Sequence, residues 1–156
     1  MQDAFIVSTA RTPIGRAYKG AFNDIKSPTL MAHAIKHAVQ RANVDPKRVE
    51  DVVIGSVLDA GTAGSNVARY SLLAAGLPQT SSGQTIDRQC ASGLMAIATA
   101  AKQIMVDGMD VVVAGGQENI SAVQQRYFEW IQAEADPAVL HVPRMPTCRC
   151  CRQPNS

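Results

Sequence analysis

The sequence has little net charge of either sign. Its 156 residues carry 15 Lys and Arg against 13 Asp and Glu, a net charge of +2 at pH 7. An excess this small gives no electrostatic reason to expect a nucleic acid or an acidic membrane as a partner. Hydrophobic residues make up 46% and charged residues 18%, which is typical of a globular protein and excludes a disordered one. The length is enough for one domain with its own core.

The sequence also lacks the marks of export and of membrane insertion. No apolar run is long enough to span a bilayer. The first residues lack the basic-then-apolar order of a signal peptide, and no C-terminal sorting tripeptide or lipidation box is present. Cysteine is scarce as well, since Cys90 is the only one among the first 147 residues, which agrees with a reducing compartment. The expected location is therefore the cytoplasm, with no membrane contact.

What the chain does contain is a regular alternation of apolar runs and helical patterns. Because hairpin signals are absent, the alternation predicts an α/β fold with a mostly parallel sheet, right-handed crossovers and helices on both faces. A further helix is possible over 120–135. Strands are predicted over residues 4–8, 52–58, 85–87 and 110–114, and helices over 27–42, 66–75 and 91–106.

The stretch around Cys90 has the clearest chemistry. Cys90 follows a short β-branched run and comes just before a helix that is apolar nearly all round. Unpaired N–H groups and the positive end of the helix dipole favour a thiolate there, and Arg88 could add charge. An all-round apolar helix is normally covered on most sides, so we expect Cys90 in a crowded interior position. The alternative is an inert structural thiol, which is the commoner role of a buried cysteine. For Arg88, a surface or subunit-contact role is favoured over a role as partner of the Cys90 thiolate.

Three other sets of residues invite a functional interpretation. His33 and His37 are spaced to share one helix face, but no third metal ligand is indicated, so a solvated face is favoured over a metal site. Cys148 and Cys151 form a CxxC without a second pair, which favours an unstructured tail over zinc or redox chemistry. The pair of glycines at 115–116 indicates a tight turn after a strand. No metal site is predicted.

Several motifs resemble the thiolase family. The nucleophile region is carried by TIDRQCASGLMAIATAAKQIMVDGMDVVVAGGQENIS, and it is preceded, in the family's order and spacing, by ARTPIGRAYKGAF, GSVLDAG and SNVARYSLLAAGLP. The similarity covers roughly residues 3–140 and is greatest to acetyl-CoA acetyltransferases and 3-ketoacyl-CoA thiolases. Ketoacyl-synthase-like condensing enzymes share the fold and the cysteine, but their motif resembles this one less well.

The resemblance implies a reaction and a set of residue roles. Cys90 would take an acyl group as a thioester, and coenzyme A thioesters would be substrates in a Claisen condensation or a thiolytic cleavage, with no permanently bound cofactor. Gly115 and Gly116 would support the active site. The strand before Cys90 would join two copies in a homo-oligomer. The residues expected at or near that contact are Asn66, Arg69 and Arg88.

The chain departs from the family pattern in its second part. The family's catalytic histidine, second cysteine and asparagine lie in a second half that we do not recognise here, so those roles are assigned to no residue, and the last strand of the first half is missing too. The expected division is a partial N-terminal thiolase domain over 1–118, the start of a loop insertion over 119–140, and a non-family tail over 141–156 that is disordered or frame-shifted. A truncated thiolase of this kind is expected to be inactive alone. The alternative is a non-catalytic, dimerising fragment.

Overall fold

The computed structural model describes the backbone of residues 2–140 and the side chains of residues 2–138. The predictions made for the tail, 141–156, fall outside the described residues. The helices are α1 (Ser27–Ala42), α2 (Val67–Ala74), α3 (Ser92–Lys102), α4 (Ile120–Ala133) and α5 (Pro137–Leu140), and the strands are β1 (Asp51–Gly55), β2 (Ser82–Ile86) and β3 (Val112–Gly116).

The three strands form one parallel sheet in the order β2-β1-β3. Val53 of β1 lies opposite Gln84 of β2 and Ala114 of β3. Parallel neighbours need a crossover, and α2 and α3 supply the two crossovers between consecutive strands. The predicted α/β class with parallel strands is therefore confirmed.

Helices cover both faces of the sheet. On one face, side chains of α1 and α2 pack on Val52 and Ile54 of β1. On the other face, Ala96 and Ala100 of α3 pack on Val53, together with half-buried residues of β2 and β3. Both faces of β1 are thus covered, which is why a strand of continuous apolar residues is stable there.

Local sequence signals set the ends of the helices. The Asn66 side chain caps α2 by accepting a hydrogen bond of 3.1 Å from the Arg69 N–H. The predicted long helix after Cys90 is present as α3, followed by a π-helical turn, Gln103–Asp107, that ends at Gly108 with a φ of 79°. Only glycine adopts that left-handed conformation without steric cost, so the stop at Gly108 was predictable from the sequence.

The first predicted strand is wrong. Residues 4–8 have the apolar pattern of a strand, but they form no ladder with β3 or with any other described strand. Phe5 and Ile6 are each 77% exposed and Val7 is 75% exposed. The physical reason is that an apolar run becomes a strand only where a neighbouring strand satisfies its backbone groups, and an open groove separates this segment from β3.

Candidate functional site

Cys90 lies between the carboxyl end of β2 and the start of α3. β2 ends at Ile86, and α3 begins at Ser92 with Ala91 as its N-cap residue. The residue before Cys90, Gln89, has a φ of 52°, a left-handed conformation that is uncommon outside glycine. The expected junction of strand and helix is therefore present. The predicted burial of Cys90 in a crowded interior is wrong, since Cys90 is exposed. The reason is that no described residue packs over the outer side of the α3 N-terminus.

The hydroxyl of Ser92 holds the turn that carries Cys90. Its Oγ accepts a hydrogen bond of 2.8 Å from the Arg88 N–H and donates one of 2.6 Å to the Gln89 carbonyl. Ser92 itself is only 4% exposed. The turn is further fixed by the Asp87 carboxylate, which accepts a 2.8 Å bond from the Gln89 N–H. These bonds set the direction in which Cys90 leaves the strand.

Two glycines, Gly55 and Gly116, let the first turn of α3 lie directly on the ends of two strands. A Cβ placed on Gly55 would come within 2.3 Å of the Ser92 carbonyl carbon and 2.5 Å of the Gly93 nitrogen. A Cβ on Gly116 would lie 3.1 Å from the Gly93 Cα. No side chain fits between the helix and β1 at that distance. The glycines therefore set the height of α3, and with it Cys90, above the sheet.

Glu118 joins the loops that follow β1 and β3. Its carboxylate accepts hydrogen bonds from the N–H groups of Val57, at 2.5 Å, and Leu58, at 3.3 Å, and from the Ser56 hydroxyl at 3.4 Å. Gln117 also reaches Ser56, with a 2.9 Å bond from Nε2 to Oγ. Sequence reasoning missed Glu118 and Ser92. The available signals were an acid two residues after a pair of glycines at a strand end and a serine two residues after the cysteine.

A pair of carboxylates lies beside the Cys90 turn. The pKa of Asp59 is raised above its ordinary value, first by partial burial and second by repulsion from Asp87. Asp87 is the residue that orients Gln89 next to the cysteine. Two acidic groups from different loops therefore approach each other at the same edge of the sheet as Cys90.

The residues expected at a subunit contact already have partners within the chain. Asn66 Nδ2 donates a 2.7 Å bond to the Gly83 carbonyl, and its Oδ1 also accepts from the Thr85 hydroxyl at 3.1 Å. The guanidinium of Arg69 binds the carbonyls of Ser81 and Gln79, the latter at 3.0 Å. Both side chains thus brace β2 against α2.

Arg88 is exposed, and its guanidinium contacts the Met95 sulfur at 3.8 Å. The pair Gly115 and Gly116 lies at the end of β3. A Cβ on Gly115 would meet the Met31 methyl at 3.0 Å. Gly115 is therefore a packing position for α1, and only Gly116 contacts the helix that follows Cys90.

Other expected features can be placed as well. The His33 and His37 rings contact each other edge to face, with centroids 4.5 Å apart. Within the described part of the chain, no group of three or more His, Cys, Asp or Glu residues is arranged to hold a metal ion. Among the same residues, every helix is too short or too polar to cross a membrane.

One face of α3 is open. Leu94 is 72% exposed and Ile97 is 42% exposed, whereas Ala96 and Ala100 on the opposite face are at most 6% exposed. The expected covering of α3 on most sides is therefore absent among the described residues. An exposed apolar face beside a candidate nucleophile indicates where further polypeptide could pack.

These elements define an α/β domain with an exposed cysteine between the end of a strand and a helix whose first turn packs directly on Gly55 and Gly116. Residues 4–137 match the family model described as the N-terminal domain of thiolase. The chain belongs to the thiolase family. It is 47% identical over 122 residues to an acetyl-CoA acetyltransferase of Cupriavidus necator, an alignment that covers 78% of this chain and 30% of the relative.

Solved structures give the same result. The crystal structure of the Bacillus anthracis acetyl-CoA acetyltransferase is similar with a TM-score of 0.74 and 40% identity, over 79% of this chain and 31% of that one. The Acat5 thiolase of Ascaris suum, solved in complex with coenzyme A, has a TM-score of 0.74 and 32% identity, over 78% of this chain and 31% of that one. The chain thus spans about 30% of the length of these relatives. Names of other relatives specify the cytosol, mitochondria or peroxisomes.

Proposed function

We propose that Cys90 is the acyl-accepting nucleophile of a thiolase-type acyltransferase whose remaining catalytic groups come from polypeptide that this chain does not include. The observation that carries the proposal is the position of Cys90, exposed at a strand end and directly before a helix seated on Gly55 and Gly116. Helix N-termini favour the thiolate over the thiol. The family membership adds the reaction class.

The proposed step is transfer of an acyl group from coenzyme A to sulfur. The Cys90 thiolate attacks the thioester carbonyl, a carbon–sulfur bond to Cys90 forms, and coenzyme A leaves as its thiolate. One of the remaining catalytic groups then takes an α-proton from a second acyl-CoA, and the resulting carbanion attacks the acyl carbonyl. A carbon–carbon bond forms, the carbon–sulfur bond to Cys90 breaks, and the Cys90 thiolate leaves. The reverse sequence cleaves a 3-ketoacyl-CoA. Acyl-CoA thioesters are thus the proposed substrates, and the proposed location is the cytoplasm, where a reactive cysteine stays reduced.

Mass measurement after incubation with acetyl-CoA tests this step. We expect one acetyl group on the intact chain, placed at Cys90 by peptide mapping and lost in Cys90→Ser. The mapping matters because Cys148, Cys150 and Cys151 offer three competing thiols. A variant with these three changed to serine is the matched control and should still be acetylated. Acetylation at the tail cysteines alone would contradict the proposal.

The second candidate function is that of a non-catalytic fragment that forms dimers through β2. The observation that favours it is the position of β2 at one edge of the sheet, where its outer side pairs with no described strand. Asn66, Arg69 and Arg88 remain the residues proposed to lie near that contact. Asn66 and Arg69 would act indirectly, by holding β2 in place through their hydrogen bonds. Sedimentation of the chain at several concentrations tests it. A stable dimer without any acetyl adduct would favour this function, and a monomer would exclude it.

We also propose the domain division expected from the sequence, with a partial N-terminal thiolase domain over 1–118, the start of a loop insertion over 119–140 and a non-family tail over 141–156. Support comes from Asn119, whose side chain caps α4 with a 3.3 Å bond from the Ala122 N–H and so begins a new element. Limited proteolysis should cut after residue 118 before it cuts within 51–116. First cleavage within β1 or β3 would contradict this division.

A further inference from the structure

α1 carries two histidines one helical turn apart on its outer side. His33 and His37 are four residues apart, so their side chains leave the helix in nearly the same direction. The two imidazole rings contact each other edge to face, with centroids 4.5 Å apart and ring planes at 61°. His33 is exposed and His37 is half-buried. An ion in the surrounding water can therefore reach both rings at once.

The hydrophobic core holds the backbone that carries these two histidines. Met31, Ile35 and Val39 on the opposite side of α1 are buried in one cluster with side chains of β1 and α2. Two ligands on a helix that is packed in this way lose less conformational entropy on binding than two ligands on a flexible loop. Only the side-chain torsions of His33 and His37 remain to be fixed when an ion binds.

The chemistry of the pair selects the class of ion. Imidazole nitrogen is a ligand of Ni²⁺, Cu²⁺ and Zn²⁺, whereas Mg²⁺ and Ca²⁺ take oxygen ligands. α1 contains no acidic residue and has Lys36 next to His37, so this helix offers no carboxylate to a hard cation. A metal-to-nitrogen distance of about 2 Å needs two ring nitrogens about 3 Å apart. Rotation of two rings that are already in contact supplies that separation.

We propose that His33 and His37 chelate one divalent transition-metal ion, with water in the remaining coordination positions. The spacing alone favoured a solvated face because it indicates no third ligand, and the structure adds that the two rings lie close enough to share an ion. With two protein ligands, the site is weaker than a closed structural zinc site, which has four. The ion stabilises the fold by mass action, since α1 holds the two ligands together only in the folded chain. The proposal depends neither on Cys90 nor on acyl transfer.

Titration calorimetry with Ni²⁺ tests the site. The starting protein is the variant in which Cys148, Cys150 and Cys151 are changed to serine, because the tail thiolates would also bind the ion. We expect saturable binding of one Ni²⁺ ion per chain with a Kd below about 1 mM. Mg²⁺ should bind at least about tenfold more weakly, because it prefers oxygen ligands.

Substitutions of single histidines locate the ion. His33→Ala and His37→Ala should each weaken Ni²⁺ binding at least about tenfold, because each removes one of the two protein ligands. His141→Ala, which removes the third histidine of the chain, should leave the affinity unchanged. Both α1 histidines lie outside the buried core, and alanine favours a helix, so these variants should fold. Circular dichroism checks that they do.

A matched control moves one histidine along the same side of α1. His37→Ala combined with Gln40→His keeps the number of histidines but places the two on α1 seven residues apart, which is about 10.5 Å along the axis. One ion cannot bridge that distance, so this variant should bind Ni²⁺ at least about tenfold more weakly than the starting protein. In thermal unfolding, saturating Ni²⁺ should raise the Tm of the starting protein and not that of the moved-histidine variant.

Three results would overturn the proposal. The first is the absence of saturable Ni²⁺ binding to the starting protein. The second is an unchanged affinity in either His33→Ala or His37→Ala, since the ion would then lie elsewhere. The third is equal affinity of the starting protein and the moved-histidine variant, which would show that the rings do not share an ion. None of these measurements involves acetyl-CoA, so each outcome is independent of the function proposed for Cys90.

Discussion

The strand β1 and the segment 4–8 have similar sequences and opposite environments. β1 reads DVVIG and the segment reads AFIVS. Val52, Val53 and Ile54 of β1 are completely buried, whereas Phe5 and Ile6 are each 77% exposed. β1 has a strand on each side and helices on both faces, while the segment has a groove where a strand would lie. The difference shows that an apolar run marks a possible strand, and that its neighbours decide whether the strand forms.

The largest expected effect comes from equal truncations in the two regions. Ile54→Ala should lower the free energy of unfolding by about 2–5 kcal/mol, because it leaves a cavity in a packed core. Ile6→Ala, which removes the same atoms from an exposed side chain, should change it by less than about 0.5 kcal/mol. Denaturant unfolding of both variants measures the difference. Equal losses would mean that residues 4–8 are packed in solution, and the comparison would fail.

The next prediction concerns the end of β1. Gly55→Ala should destabilise the fold by about 1–3 kcal/mol or more, because its Cβ would overlap the backbone of Ser92 and Gly93. Gly93→Ala lies on the other side of the same contact, but its Cβ would meet only the Gly116 Cα at 3.8 Å. That variant should be neutral or slightly stabilising. Thermal unfolding of the pair checks the prediction, and a reversed order of stability would show that α3 is placed differently.

A third prediction concerns the start of β1. Asp51 is 4% exposed, and its carboxylate accepts hydrogen bonds from Gln103 Nε2 at 2.6 Å and Gln84 Nε2 at 3.2 Å. Gln103→Ala should cost about 1–3 kcal/mol, because it removes a buried donor from a charged acceptor. The control Gln125→Ala removes an exposed bond to Glu129 and should cost about 0.2–0.5 kcal/mol. Chemical unfolding distinguishes them, and similar costs would contradict a structural role for the Asp51 network.

The smallest expected effect depends on pH and lies in the loop after β1. The pKa of Asp59 is raised, so ionisation of this group is less favourable in the folded than in the unfolded chain. Stability therefore falls as pH rises from the ordinary value of 3.8 through the raised pKa, and it stays lower above that pKa. Asp59→Asn should be slightly more stable than the parent at pH 7 and equal to it below about pH 3.8.

Thermal unfolding of Asp59→Asn over a range of pH measures the predicted trend. Asp3→Asn on the exposed N-terminal segment is the control for loss of a negative charge alone. The same pH trend in both variants would show that net charge, and not the partial burial of Asp59 and its repulsion by Asp87, causes the effect.

The sequence predicted the parts of the site that depend on neighbours in the chain. The place of Cys90 between a strand and a helix follows from a β-branched run, a cysteine and an apolar helical stretch in that order. It could not predict that Glu118 binds Val57 and Leu58, about 60 residues earlier, because no local pattern encodes a contact at that separation. The prediction that Cys90 is buried was wrong for the same reason, since the exposure of this residue depends on what else packs over α3.

The amino-acid sequence by itself determined the alternation of strands and helices, the cap at Asn66 and the stop at Gly108, because these features depend on side chains and backbone angles within a few residues. Only the tertiary structure decided that β1 is central, that residues 4–8 form no strand, and that Gly55 and Gly116 set the height of α3. Those outcomes depend on which distant segments come together, since hydrogen-bond partners and packing surfaces are supplied across the fold.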